Sequence, residues 1–414
     1  MKKKKTFEKL LKERLERITK AIELKEPDRV PLFDPGGHLI AKYSGITSYE
    51  FYFNYDKARS AIVKWLKDFP FDSSFSSVIG AEGFVFSVAF SNYPDIAPAI
   101  RFLTGPMHDV LGDKYTRWPG RELSEDIGSL QFIGGEYMKP EEYKYLIENP
   151  IDFINEKILP RACLNLEKPG SQKTNATLLR LGIEAIKFLG FLQSTAMDLS
   201  NIGIPSLNVT FAYAPLDFIG DFLRHPTGVM LDLRRHPDDV KAVTEALVEP
   251  IIKVALALKP AGANIAFIPL HLNEMLSPKM HDEFYWPTLK KVIVELYNQG
   301  MKSLVFFEGD YTPFINTIKE LPKGWGIAWF EKTDIRKAKE ILGGHTCILG
   351  GIPISLLISG TPNKIKDYVK KLLEDIKPGG GVILSSNIAL GLTKEVPLEN
   401  IKTLINTVKR YGKY

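Results

Sequence analysis

Cysteine is almost absent from this 414-residue chain, which has two, Cys163 and Cys347, far apart in sequence. That excludes a disulfide framework and any self-contained Cys₄ or Cys₂His₂ zinc motif, and it makes a reducing cytoplasm the expected compartment. Long apolar runs are missing too. The most apolar stretch, residues 251–272, is interrupted by Lys253, Lys259 and Pro260, so no membrane span is expected. The start of the chain shows no unbroken apolar core of a signal peptide. After a lysine run at residues 2–5, Leu11, Leu15, Ile18 and Ile22 recur at helical spacing among charges, which predicts an amphipathic helix. Charge of one sign is not in large excess. The net charge is +5, much of it in the lysine run, which reads as a solvated, frayed terminus. No aromatic-interleaved basic stripe follows it, so no nucleic-acid partner is expected.

What is present is the composition of a soluble enzyme: 44% hydrophobic and 25% charged residues, in a chain long enough to bury a large core unaided. From about residue 205 onward, short β-rich runs alternate with charged amphipathic segments of helical period. The runs are residues 207–213, 264–269, 303–308, 326–331, 346–350 and 382–386. Two more candidate strands, 30–33 and 71–75, lie near the start. Eight strands alternating with helices predict an α/β fold with a parallel sheet closed into a (β/α)₈ TIM barrel. An N-terminal helical extension precedes it. Residues 76–204 are less regular and rich in aromatics, and read as a large insertion capping the barrel mouth within one domain, 1–414. Those aromatics are either core filling or a lid lined for a flat apolar substrate.

Several phrases, in order, resemble the uroporphyrinogen decarboxylase superfamily. They are RITKAIELKEPDRVPLF at residues 17–33, LSPKMHDEFYWP at 276–287, GDYTPFI at 309–315, SGTPNKIKDYV at 359–369, GGGVILSS at 379–386 and VPLENIKTL at 396–404. The resemblance is weak across 76–204. It implies the same barrel fold, with chemistry at the C-terminal ends of the strands.

A porphyrinogen carries eight carboxylates and calls for several arginines. The decarboxylases place an arginine-bearing MRQAGRY phrase after the first strand. Here that place reads DPGGHLIAKY, residues 34–43, with no arginine. The resemblance therefore points to the methyltransferase branch. Members of that branch that methylate a thiol hold zinc through His-x-Cys at one strand end and a Cys in the last strand. In this chain Phe306 and Glu308 stand at the first two positions, and Ser385, Ser386 and Asn387 near the third. What remains is oxygen-rich: Glu308 and Asp310 at one strand end, and Glu331 at the next. The branch that cleaves aromatic methyl ethers passes the methyl group to a separate corrinoid protein. It needs a zinc ion or a proton donor at the ether oxygen.

The resemblance thus implies an O-demethylase methyltransferase. Glu308, Glu331 and Asp310 are its candidate catalytic groups. Glu308, Glu331 and His271 are the candidate zinc ligands, with His345 as the alternative third. His271, Tyr213, Phe211, Trp329, Tyr311 and Asn387 are the candidate substrate contacts. His345-Thr346-Cys347 is a literal His-x-Cys, but it opens a strand and is expected at the opposite end from the mouth. No corrinoid-binding Asp-x-His-x-x-Gly phrase occurs, PMHDVLG at 106–112 being the nearest approach. Cobalamin is therefore expected on a partner protein, and a homodimer is possible. The rival readings are a decarboxylase of a smaller acid, a barrel that only binds a ligand, and a methyltransferase acting on a methylamine or a methyl thioether.

Overall fold

A computed structural model describes residues 2–75 and 79–414, with side chains from Thr6 onward. The chain divides into two compact units, residues 1–78, 191–208 and 303–414 in the first, and 79–190 and 209–302 in the second.

The first unit is built on parallel strands. Lys302–Phe307, Gly326–Phe330, Cys347–Ile352 and Val382–Ser386 lie side by side in chain order. The ladder continues through parallel bridges from Leu384 to Leu32, from Phe33 to Ser73 and from Ser74 to Ser206. Gly326–Phe330 and Val382–Ser386 are buried along their whole length, as their apolar sequence requires of strands covered on both faces. Gly326 is obligatory at its place: a Cβ there would stand 1.9 Å from the Ser303 carbonyl oxygen. In the second unit Val209–Phe211 pairs in parallel with Ile265–Leu270. Eight parallel strand positions therefore follow one another along the chain where the sequence places them. The fold is α/β, of the (β/α)₈ class.

The helices start and stop where local chemistry dictates. Thr47 accepts from Glu50 N while Glu50 reaches back to Thr47 N, a complete capping box for Ser48–Phe53. Two of the amphipathic segments between strands are not continuous α-helices. Residues 277–299 form Pro278–Met280, a π-helical turn His281–Tyr285, and Trp286–Asn298. The turn stands just before Pro287, which has no N–H to continue the α-helical ladder. Residues 311–321 form the 3₁₀ segment Thr312–Glu320 instead of an α-helix. At the N-terminus the helix Lys2–Ile22 takes in the lysine run expected to be frayed. No helix among the described residues is long and apolar enough to cross a membrane.

The phrase DRVP has a structural purpose. Arg17 grips Asp28 with two hydrogen bonds, 2.7 and 2.6 Å. Arg17 and Arg29 both converge on the buried Asp72, at 2.7 Å and at 2.6 and 2.7 Å. Asp72 also accepts from Leu32 N at 2.8 Å, and Arg14 lies 4.0 Å away. One carboxylate therefore ties the N-terminal helix to the first strand.

Candidate functional site

In a parallel α/β fold the loops leaving the C-terminal ends of the strands are where reactive groups collect. In the second unit, Val209–Phe211 runs on through Tyr213 into the helix Pro215–Phe222, whose first residue, proline, is preset for a helical start. Asp217 and Asp221 are four residues apart and so share one face of that helix. Both are buried. Asp217 accepts from Leu272 N at 2.9 Å, from His271 N at 3.0 Å and from the Tyr285 hydroxyl at 2.6 Å. It clamps the backbone that leaves Ile265–Leu270. The π-helical turn is what delivers Tyr285, and such turns recur at functional positions.

Asp221 holds the side chains. Its Oδ2 accepts from the Tyr213 hydroxyl at 2.8 Å and lies 2.6 Å from His271 Nδ1. The Tyr213 ring meets the imidazole edge-on, with centroids 5.8 Å apart. Tyr213 is fully buried, whereas the His271 side chain keeps 21% exposure. His271 is therefore the member of this group that a ligand can reach.

Glu82 completes the cluster. It sits on the two-residue strand Ala81–Glu82, which pairs antiparallel with Phe102–Leu103. Burial pushes its carboxyl pKa up, His271 opposes that, and Asp221 adds to it. Burial likewise pushes Asp217 up against the attraction of His271. The Tyr213 phenol is raised by burial, then by Asp221 and Glu82. An imidazole whose Nδ1 is fixed by a carboxylate works as a proton donor or acceptor through Nε2. A carboxyl that keeps its proton longer than usual can assist.

The sequence-derived candidates in the first unit are placed as follows. Phe307 pairs with Phe330, so Glu308 and Glu331 sit at adjacent strand ends, as the sequence places them. Both are half-buried, and Glu331 accepts from Gly309 N at 2.6 Å. Asp310 is exposed and accepts from Thr312 N and the Thr333 hydroxyl, at 2.9 and 3.2 Å, which is a turn-capping arrangement. Asn387 donates to the Glu331 carbonyl at 3.0 Å and accepts from Ile354 N at 2.9 Å, stitching two loops. Trp329 is buried and donates to the Ser386 carbonyl at 3.0 Å. Tyr311 is buried against Phe307 and Phe314. Among the substrate candidates of the second unit, Phe211 packs on Phe102 and Phe267 at centroid distances of 4.8 and 5.2 Å, while Tyr213 and His271 belong to the polar cluster.

The zinc ligands implied by the resemblance, Glu308, Glu331 and His271 or His345, stay an expectation. Among the described residues no three His, Cys, Asp or Glu side chains are grouped to hold a metal. His271 Nδ1 faces Asp221. His345 precedes the strand Cys347–Ile352 and contacts the Ile318 carbonyl at 3.2 Å, at the strand's N-terminal end as expected. In PMHDVLG, His108 faces Asp113 at 2.5 Å and Glu122 at 3.2 Å, so both ring nitrogens are engaged within the chain.

Sequence reading missed Asp217, Asp221, Glu82 and Asp34. A signal existed for the first two: carboxylates four apart on the helix after a strand, facing the next strand end. Asp34 follows the first strand, 1% exposed. It accepts from Gly36 N at 3.3 Å, from the Ser74 hydroxyl at 3.1 Å and from the Trp65 indole at 3.4 Å. Burial outweighs these bonds and pushes its pKa up to about 6. Its folded value thus exceeds the unfolded one of about 4. The native state then binds more protons in that window, and stability falls as pH rises from about 4 through about 6. Asp34→Asn keeps an acceptor and removes the charge. It is expected to raise stability at pH 7.5 by roughly 1–3 kcal/mol, a gain that vanishes near pH 4. Urea unfolding at both pH values checks this; an equal gain at both would refute a charge-burial cause.

Comparison with known proteins gives the context. Residues 208–411 match the family described as uroporphyrinogen decarboxylase (URO-D). The segment includes Tyr213, Asp217, Asp221, His271 and Tyr285 but not Glu82. The uroporphyrinogen decarboxylase of Helicobacter pylori is 26% identical over 177 residues, 42% of this chain and 50% of the relative. That of Flavobacterium johnsoniae is 28% identical over 138 residues, 33% of this chain and 38% of the relative. The chain spans about half the length, or less, of these curated relatives. A solved structure, a methyltransferase from Methanosarcina mazei, shares the fold, with a TM-score of 0.62 at 16% identity over 95% of this chain and 98% of that one.

Proposed function

We propose that this chain, whose residues 208–411 are of the uroporphyrinogen decarboxylase family, is a methyltransferase that takes the methyl group of a methoxylated aromatic compound for a separate corrinoid protein, in the cytoplasm. The observation that carries the reading is the Tyr213–Asp221–His271 constellation at adjacent strand ends. The corrinoid, carried by its partner, supplies the nucleophile that accepts the methyl group. This chain's residues orient the ether and manage the proton. As the methyl–oxygen bond breaks, a proton held at His271 Nε2 passes to the ether oxygen, so a neutral phenol leaves instead of a phenolate. Asp221 stabilises the imidazolium before transfer, and Tyr213 fixes Asp221.

The arginine distribution supports this over porphyrinogen decarboxylation. Residues 34–43 hold none, Arg14, Arg17 and Arg29 are bound up with Asp72, and Arg224 with Asp232 and Glu136. The test is methyl transfer from methoxyarenes to a reduced corrinoid protein, followed by phenol release. Transfer from a methylamine or methyl thioether instead, or CO₂ release from an aromatic acid without a corrinoid, would overturn it.

The chain's second partner, in this reading, is its own copy. On the helix Gln172–Asn201, the outward face carries Leu179, Ile183 and Ile186, which are 73, 55 and 71% exposed. A surface helix ordinarily presents polar residues there. Gly182 and Gly190 stand four residues either side of Ile186, and a Cβ at either would meet nothing within 4 Å. Two such helices crossing antiparallel at Ile186 set glycine against glycine. The contact is self-complementary, as a two-fold interface must be. It covers apolar side chains that a monomer would leave in water. Light scattering is expected to show a dimer that Ile186→Glu converts to monomer. A monomeric wild type, or a dimeric variant, would refute it.

A further inference from the structure

Among the described residues four arginines are buried, Arg14, Arg17, Arg101 and Arg224. Three of them meet carboxylates, as above. Arg101 does not. It is 6% exposed, it donates to the Pro98 carbonyl oxygen, and its guanidinium carbon lies 5.4 Å from the centre of the Phe102 ring. Its Nε is buried with no hydrogen-bond partner. Burial is what lowers its pKa, to about 10, so the side chain remains a cation at neutral pH. A buried cation without a counter-ion is strongly unfavourable unless an anion arrives.

The position of Arg101 says which molecule brings that anion. The ribbon that carries Glu82 also carries Arg101. Glu82 pairs with Phe102, and Gly83 N donates to the Arg101 carbonyl at 3.0 Å. The Phe102 ring packs 4.8 Å from that of Phe211, and the strand of Phe211 leads directly to Tyr213 and the Asp221–His271 pair. A guanidinium set against an aromatic ring, beside an aromatic wall, suits a planar carboxylate attached to an aromatic ring, because the guanidinium fork matches the two carboxylate oxygens. We propose that Arg101 is a substrate-binding residue that takes the carboxylate of an aromatic acid, so that the methyl donor is a methoxylated aromatic carboxylate. The methyl-donor half of this rests on the proposed function; the carboxylate site does not.

The test is binding, with benzoate as probe and the full-length protein. Calorimetry and thermal melting are expected to show benzoate binding to the wild type, with anisole and inorganic phosphate binding at least about tenfold more weakly. Arg101→Met keeps the stem volume and removes the charge. It is expected to weaken benzoate binding by about tenfold or more, yet to melt without ligand at the wild-type temperature or above, because an uncompensated charge has been removed. Arg101→Lys is expected to recover part of the binding. Unchanged benzoate binding in Arg101→Met, no benzoate binding to the wild type, or phosphate binding as tight as benzoate would overturn the assignment. A ligand-free Arg101→Met protein that melts far lower would mark Arg101 as a structural residue and overturn it too. Methoxybenzoate that binds through Arg101 but is never demethylated would leave this site standing and defeat the methyltransferase reading.

Discussion

Replacing His271 with Gln is expected to lower the rate of methyl transfer by about 10²–10⁴-fold, the usual contribution of a positioned proton donor, while leaving the melting temperature near that of the wild type. Gln can still hydrogen-bond to Asp221 but cannot carry the transferable proton. The loss is expected in kcat more than in KM, because proton donation acts as the methyl–oxygen bond breaks and not in binding. It is also expected to depend on the substrate. A nitro-substituted methoxyarene releases a stable phenolate and needs less help, so its rate should fall by a much smaller factor. Asp221→Asn, which leaves the imidazole without its charged anchor, is expected to follow His271→Gln in the same direction, and Tyr213→Phe to follow weakly. Single-turnover rates across the three variants and the two substrates check this. If His271→Gln retained a rate within threefold of wild type, proton donation by His271 would be refuted.

The second large effect is on stability. Asp72→Ala removes the carboxylate on which Arg17 and Arg29 converge and near which Arg14 lies. Asp72 is 1% exposed in its side chain, and Arg14, Arg17 and Arg29 are 10, 8 and 13% exposed. The group is therefore a buried ion cluster and not a surface pair. Breaking such a cluster by deleting one partner costs about 3–5 kcal/mol, because uncompensated buried charge remains. Here three like charges would be left facing one another, and Leu32 N would lose its acceptor. Equilibrium unfolding of the variant should show that loss, and Asp28→Ala a much smaller one, since Arg17 would keep Asp72. A loss under about 1 kcal/mol for Asp72→Ala would mean that water screens the cluster.

These two expectations separate what the family-like phrases are for. Asp28 and Arg29 of the DRVP phrase belong to the ion cluster and hold the fold. The resemblance is spread over the chain, but its N-terminal part marks architecture and not chemistry. The candidate site shows the converse. His271 and Tyr213 were legible because each ends a strand of regular apolar pattern. Asp310, Asn387, Trp329 and Tyr311 were named by the same rule, yet their polar atoms and rings are occupied in capping, loop stitching and packing. Position at a strand end says that a residue is near the mouth. It does not say whether its side chain has already been claimed by the backbone.

The sequence by itself determined the α/β class, the eight strand positions and the residues at their ends. These follow from apolar periodicity and chain order, which are local properties. Only the tertiary structure decided which polar groups act together. It turned the helix Pro215–Phe222 so that Asp221 meets a histidine fifty residues away, broke the helix before Pro287 so that Tyr285 reaches Asp217, and brought Glu82 and Arg101 onto one ribbon of two-residue strands. Strands that short leave no periodic trace. The worth of a buried charge depends on whether a counter-charge lies within a few ångströms, and that is set by packing between segments distant in sequence.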